Sequence, residues 1–549
     1  MSEKILVIGG VAAGATGAAK ARRTREDLDI TMVEKGKYIS FANCGLPYYT
    51  GGVIEKRASI LLHTKQSFGK RFNTDVLTKT EAIAIDPKAK SVLLKTSKGE
   101  VERPYDKLLL AVGAKTFIPP IEGVEDIPYF TMRTVEDADG VKEYVLNNKL
   151  KDVLIIGAGF IGIEVAEAML HCELKPTVVE ALDEVMPNFP PIVAMNLREK
   201  MAEAGCDVIV KTFVKKLENG DRIKAHLSDG RVVETDMVIM CTGVKPAVDL
   251  ALTGGVELGE KGGVAVNSRM ETNVKDIYAA GDLVEKVNLV TGKKCLLPLA
   301  GPANREGRTA GMNMAGGDME FKGVLGSAVV GFDGFVMAQT GLTYKQALEA
   351  GFDADYVYTE DVNRASYFPV HGHIFMMTVF EKKSGKLLGV SACGPDTVEK
   401  KVDHAAVALY AGLTVYDFEH LELCYAPPFA SAKDNLNIAG FVASNMLRGS
   451  GFTVKPEWLL EQVRKNADIQ IIDVRRPEEF ENYRVEGAVN IFVNELRENL
   501  ELIDKTRPVY VYCAVGFRGY LAVRSLRNFG FEAYNVTGGV EAYERLKRL

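Results

Sequence analysis

KILVIGGVAAG, residues 4–14, is an apolar run closed by a glycine-rich turn and continued by an Ala-rich helical stretch to about Arg25. DVLIIGAGFIGIEV, residues 152–165, repeats the same order. Each copy leads to a second strand ending in an acid, ITMVEK with Glu34 and PTVVEA with Glu180. Later strands echo one another too, KLLLAVGAK at 107–115 and MVIMCTGVKP at 237–246. An internally duplicated βαβ unit with parallel sheets accounts for all of these.

A phosphate cradle needs glycines where the chain turns tightly against a pyrophosphate, at a helix N-terminus whose free N–H groups favour anions. Gly157, Gly159 and Gly162 give the full fingerprint, and Glu180 follows 18 residues after Gly162. A carboxylate there accepts hydrogen bonds from ribose hydroxyls and repels a 2′-phosphate, which favours NADH over NADPH. The first turn keeps Gly9 and Gly14 but carries Val11 at the middle glycine, and Glu34 restores much of the pattern.

Composition narrows the field. The chain of 549 residues predicts about three to five domains at roughly 100–200 residues each. Its net charge of −6 disfavours nucleic acid bound through a general positive field. No run reaches the roughly 18–20 apolar residues of a membrane span, and strand-like sequence begins almost at once, leaving no room for a signal peptide. Eight cysteines without a CxxC pair build neither a disulfide framework nor a zinc site. The expectation is a reduced, cytoplasmic protein with no metal and no membrane partner, in which a cysteine that matters is reactive.

Further motifs carry a resemblance. T272-N-V-K-D-I-Y-A-A-G281-D282 resembles the second flavin-binding motif of two-dinucleotide disulfide reductases, where the Asp holds the ribityl chain of FAD. S40-F-A-N43-C44-G-L-P47-Y-Y stands where those enzymes carry a redox-active cysteine at a helix start, whose dipole stabilises a thiolate. The second cysteine of a CxxxxC pair is replaced by Tyr49. Cys44 must therefore cycle through a mixed disulfide, a persulfide or a sulfenic acid.

With GGVAAG, PLAGPANREGR (298–308), NRASYFPVHG (363–372) and LCYAPPFASAKD (423–434), the chain resembles single-cysteine coenzyme A disulfide reductases of the long, persulfide-reducing type. The resemblance implies FAD bound by Gly9, Gly14, Glu34, Gly113, Asp282, Ala300 and Asn304, and NADH bound by Gly157, Gly159, Gly162 and Glu180. It also implies a homodimer, Tyr367 and Tyr425 as active-site phenols given to the other subunit, and Asn43 orienting the thiolate. Among the basic residues Lys20, Arg22, Arg23 and Arg25, it favours Arg22 and Arg23 for the phosphates of coenzyme A.

After a Gly/Ser/Pro-bearing linker at 447–456, the sequence alternates strand and helix to the end. D473-V-R475-x-P-x-E-F and E486-G-A-V-N-I resemble the rhodanese (sulfurtransferase) domain. VYVYC513-A-V-G516-F-R518 places Cys513 at the start of a six-residue loop before a helix expected at 519–529. Such a loop curls N–H groups around a sulfur. Arg518 adds positive charge for an anionic donor such as thiosulfate.

The expected architecture is α/β. It has an FAD domain (1–112 and 266–325), an NAD(H) domain (150–265), an α+β dimerisation domain (326–446) and a rhodanese domain (455–549). The expected activity is an NADH-dependent flavoenzyme that reduces a small-molecule persulfide, polysulfide or coenzyme A disulfide at Cys44, with Cys513 relaying sulfane sulfur. An NADH oxidase or peroxidase, a coenzyme A-linked redox sensor and a plain thiosulfate sulfurtransferase are the alternatives. The first typically places a histidine in the first glycine turn, where this chain has V11-A-A.

Overall fold

The computed structural model describes residues 2–549. Contacts divide it into two compact units, Met1–Ala181 with Gly205–Val324, and Leu182–Ala204 with Leu325–Leu549. Among the described residues no helix is long and apolar enough to cross a membrane.

The first unit contains the duplication. One all-parallel sheet runs Ile277–Ala279, Lys107–Leu110, Lys4–Ile8, Asp29–Glu34, Asp75–Thr78. The other runs Tyr129–Phe130, Met237–Met240, Asp152–Ile156, Lys175–Val179, Asp207–Ile209, also parallel throughout. In both, the strand before the glycine turn is central, flanked by the later echoing strand and by the strand that ends in Glu34 or just before Glu180. Continuous apolar runs such as Ile5–Ile8 and Val153–Ile156 are buried on both faces, as parallel strands must be. Each copy also carries a three-stranded antiparallel meander, Glu81–Pro104 and Val214–Thr235.

The second unit opens with a five-stranded antiparallel sheet, ordered Ala328–Phe332, Phe335–Gly341, Leu387–Gly394, His373–Glu381, Ala354–Val362. Helices Val398–Ala411 and Asn435–Leu447 pack on it. Helix Pro191–Glu203 belongs here as well, although the sequence places it in the NAD(H) stretch. It buries Ile192, Val193, Ala194, Met195, Leu197 and Met201, more apolar surface than one helix stripe offers, and it meets the antiparallel sheet.

The C-terminal module is a parallel sheet ordered Thr453–Val454, Ala533–Val536, Val509–Tyr512, Gln470–Asp473, Val489–Asn490. The expected linker is thus partly structured, because Thr453 and Val454 form an edge strand. The Lys455 ammonium is also 2.6 Å from the Asp355 carboxylate of the antiparallel sheet.

At the module's centre the Arg475–Asp473 pair is fully buried, with a 2.7 Å contact, and Arg475 also donates to the Tyr483 carbonyl at 2.5 Å. Removing one member strands a buried charge, which costs about 3–5 kcal/mol. Arg475→Met is expected to lower the module's stability by that order, visible as an earlier thermal transition in scanning calorimetry. An unchanged transition would show that the pair is not a stabilising element.

Candidate functional site

Both glycine turns have the same geometry. Gly9 and Gly157 adopt φ of +103° and +104°, where only glycine is unstrained. A Cβ on Gly9 would lie 2.2 Å from the Ala111 carbonyl oxygen, and one on Gly157 would lie 2.4 Å from that of Cys241. Gly14 and Gly162 let the following helix approach the turn, since a Cβ there would lie 1.8 and 2.0 Å from the Gly9 and Gly157 oxygens. By contrast, a Cβ at Gly159 meets nothing within 4 Å, so the turn is open at the helix N-terminus where a pyrophosphate belongs.

The two acids are placed alike. Glu34 accepts from the Gly10 N–H at 2.8 Å and the Gly36 N–H at 2.7 Å. Glu180 accepts from the Ala158 N–H at 2.8 Å. These bonds fix each carboxylate beside its turn.

Helix Ala300–Met314 begins with Ala300 and the open Gly301, and a Cβ at Gly301 would meet nothing within 4 Å. Asn304 bonds inward, accepting from the Thr16 hydroxyl at 2.6 Å, so it braces two helices. Burial pushes the Asp282 carboxyl up, while Lys286 and Arg133 pull it down. The preceding Gly281 N–H donates to Glu306 at 2.8 Å and its carbonyl accepts from Lys286 at 2.8 Å. Burial pushes Glu306 up to about 7 against the pull of Lys286, whose ammonium lies 3.4 Å from its Oε1. Gly113 lies against Arg133, whose Nη2 would be 3.1 Å from a Cβ. One turn open at Gly159, a second of the same backbone geometry, two fixed acids and Asp282 within the field of Arg133 fit two dinucleotides.

Cys44 lies in a 3-10 turn, Asn43–Gly45, ahead of the five-residue helix Leu46–Thr50. The expected thiolate-stabilising helix is too short to do the work, and the local field opposes it. Burial and the carboxylates of Glu164 and Asp282 push the thiol above its ordinary value, although the residue is exposed. Asn43 gives its amide to the Arg133 carbonyl at 3.2 Å, so it holds the turn and does not bond the sulfur. Tyr49, in place of a second cysteine, bonds Asp139 at 3.2 Å and carries the Lys142 ammonium 4.3 Å over its ring.

The basic cluster divides. Arg22 is 5% exposed and donates to the backbone carbonyls of Glu26, Phe72 at 3.0 Å, and Leu28 and Asn73 at 2.7 Å each. Four of its five N–H donors are used this way on a buried side chain, so it ties chain segments together and does not face a phosphate, which corrects the expectation. Arg25 pairs with Glu3 and Asp27. Arg23 is exposed.

In the second unit the Tyr367 and Tyr425 hydroxyls are hydrogen-bonded at 2.9 Å, on residues 73% and 46% exposed. The loops bearing them meet near the start of helix Asn435–Leu447. Asn435 donates to the Asp361 carbonyl at 3.2 Å, and Asp434 pairs with the buried Lys401.

Cys513 is 2% exposed and its sulfur accepts from the Gly516 N–H at 3.2 Å. The reason the loop N–H groups can turn inward lies behind it. The Cys513 and Ala514 carbonyls accept from the Val540 and Glu541 N–H groups of helix Gly539–Arg548, at 2.9 and 3.1 Å. Gly539 permits that approach, since a Cβ would lie 2.2 Å from the Ala514 oxygen. The following helix begins at Phe517, two residues before the expected start. Arg518 binds Glu479 through both terminal nitrogens, at 2.7 and 2.6 Å.

A sequence profile described as pyridine nucleotide-disulphide oxidoreductase matches residues 3–307. The chain belongs to the pyridine nucleotide-disulphide oxidoreductase family. The dimerisation domain of that family matches residues 327–436, and a rhodanese-like domain matches residues 455–546. The chain is similar to the reduced Bacillus anthracis CoADR-RHD crystal structure, 38% identical with a TM-score of 0.97, covering 100% of this chain and 99% of that one. It is 34% identical to the NAD(P)H coenzyme A polysulfide/persulfide reductase of Pyrococcus horikoshii, covering 79% of this chain and 97% of the relative. It is also 34% identical to the NADH oxidase of Methanocaldococcus jannaschii, with the same coverage. As a family member it is an FAD- and nicotinamide-dependent oxidoreductase with a C-terminal sulfurtransferase-like module.

Sequence motifs missed Glu164 and Arg133. Glu164 follows the fingerprint by two residues, and burial and Glu167 push it up to about 7. Above that pH its charge raises the Cys44 thiol pKa, and below it the charge is gone. In Glu164→Gln, the pH midpoint of Cys44 alkylation by iodoacetamide is expected to fall by about half a unit to one unit. The rates of variant and parent converge in acid and separate above pH ~7. An unshifted midpoint would remove Glu164 from the site.

Proposed function

We infer that the protein is an NADH-dependent reductase of coenzyme A persulfide, polysulfide or disulfide, with Cys44 as its thiol and Cys513 as a sulfur carrier. The observation that carries this is Cys44 with Tyr49 where a partner thiol would stand. Without an intrachain disulfide, the oxidised form is a mixed disulfide, a persulfide or a sulfenic acid, and with a sulfur substrate it is the mixed disulfide.

Bound FAD supplies the two-electron relay between NADH and that disulfide. In the thiol steps, the Cys44 thiolate attacks the inner sulfur of a coenzyme A persulfide. Hydrosulfide leaves with the electron pair of the broken S–S bond, and a Cys44–coenzyme A disulfide remains. Two electrons and one proton then return the Cys44 thiolate and free coenzyme A. Gly9, Gly14, Gly113, Ala300 and Asp282 frame the flavin cradle, and Gly157, Gly159, Gly162 and Glu180 frame the nicotinamide dinucleotide. Arg23, exposed where Arg22 is not, remains the candidate for a coenzyme A phosphate. Tyr367 and Tyr425 share a hydrogen bond that keeps one phenol able to donate to a leaving sulfur. In this reading the protein is a cytoplasmic homodimer in which the tyrosines of one subunit serve the cysteine of the other. The domain limits drawn from the sequence serve that arrangement, with residues 182–204 reassigned to the second unit.

Cys44→Ser is expected to retain flavin bleaching by NADH but to lose hydrosulfide release from coenzyme A persulfide at least about 100-fold. Full persulfide turnover in that variant would overturn the mechanism. The name of the Methanocaldococcus relative favours a second reading as an NADH oxidase. Oxygen reoxidation as fast as persulfide turnover in the parent enzyme would support it.

Glu180→Gln keeps an acceptor for the Ala158 N–H while removing the charge that faces a 2′-phosphate. The kcat/KM ratio of NADPH to NADH is expected to rise about 10-fold. A constant ratio would mean that the preference is set elsewhere.

A further inference from the structure

The loop around Cys513 was expected to attract anions through Arg518, and the structure changes that. Both terminal nitrogens of Arg518 are on Glu479, and the guanidinium holds that carboxyl at about 2, so it is charged at any working pH. Glu479 is fixed in turn, accepting from the Arg476 N–H at 3.1 Å. Arg518 still reaches the Cys513 sulfur, so Glu479 sets how much of its charge the loop presents. Arg475 is committed to Asp473, and Glu541, whose N–H holds the Ala514 carbonyl, accepts from the Tyr483 hydroxyl. The rim is apolar: Phe517, inside the loop, is 64% exposed, and Leu521, one turn along the helix, is 45% exposed.

We propose that Glu479 makes this loop select against dianionic sulfur donors such as thiosulfate, and for singly charged or neutral persulfides and polysulfides with an apolar body. The proposal rests on the reading of Cys513 as a sulfur carrier. With thiosulfate, the Cys513 thiolate attacks the outer sulfur, the S–S bond breaks, and sulfite leaves with the electron pair. Three negative charges then converge on the loop, and the Glu479 carboxylate offsets the Arg518 charge that reaches Cys513. With a persulfide the same attack forms the Cys513 persulfide and releases a thiolate. The charge gathered is smaller, and the organic group has Phe517 and Leu521 to lie against.

The experiment uses the full-length holoenzyme. Sulfur loading on Cys513 is followed by mass spectrometry of its peptide, with thiosulfate and N-acetylcysteamine persulfide as donors. In Glu479→Gln, kcat/KM for thiosulfate is expected to rise about 10-fold, mainly through KM, with the persulfide value within about twofold. The parent's preference for the persulfide should also shrink as salt rises, because exposed charge is screened within about 10 Å at 0.1 M. Phe517→Ser should lower loading by the persulfide more than by thiosulfate. A merely structural role for Glu479 would depress both donors together, and that result, or an unchanged donor ratio, overturns the proposal. If neither donor loads Cys513 in the parent enzyme, the sulfur-carrier reading fails and the proposal with it.

Discussion

Two backbone crossings without room for a Cβ govern the first unit. At Gly9 and Gly157 the chain passes so close to the neighbouring strand that a methyl group would overlap a carbonyl oxygen. The positive φ at each point turns the chain from a central strand into a helix. Everything chemical in this unit hangs from those turns. Glu34 and Glu180 are aligned by the N–H groups of Gly10 and Ala158 in the turns themselves. Any larger residue at Gly9 or Gly157 would displace the turn and its acid together.

The Cys513 loop solves a related problem by the opposite route. A short loop can direct N–H groups at a sulfur only if its carbonyls point away and find donors. The start of the last helix supplies them through Val540 and Glu541. The two thiols are therefore controlled by different means. Cys44 is exposed and faces carboxylates that raise its pKa, whereas Cys513 is buried and cradled by backbone. A thiol whose reactivity depends on bound partners suits the end of an electron chain, and a cradled one suits storage of a sulfur atom.

Repetition made the architecture readable in the sequence. Glycine spacing, the apolar runs before it and the acids after it recur in register, so one copy certified the other. Side-chain roles were less readable, because charge in a sequence does not show what neutralises it. Arg22 looks like a free cation on a helix end, yet its partners at Phe72 and Asn73 lie about 50 residues away and are backbone carbonyls. Arg518 looks like an anion receptor, and Glu479, 39 positions earlier, occupies it. Glu164 carries no motif signal, since its effect depends on the Cys44 turn that folds near it. Helix Pro191–Glu203 continues the NAD(H) stretch in sequence but buries its apolar surface on the antiparallel sheet, a choice that periodicity alone cannot express.

Within the second unit, the C-terminal module is held to the antiparallel sheet by polar contacts shielded from water. Arg545 donates to Glu360 at 2.6 Å and to Asn196 at 3.0 Å, and its guanidinium lies 4.5 Å over the Phe375 ring. The Tyr358 hydroxyl donates to Glu457 at 2.8 Å. Such pairs add little net stability because desolvation offsets much of their attraction, but partial separation leaves a charge buried and unpaired. The contact therefore resists small excursions more than its net energy suggests. Glu360 precedes Asn363 by three residues, and Asn363 accepts from the Gly372 N–H at 3.0 Å, closing the segment that bears Tyr367. The strand that receives Arg545 thus runs directly into that segment. Its geometry and the docking of the sulfur module are set by one piece of backbone.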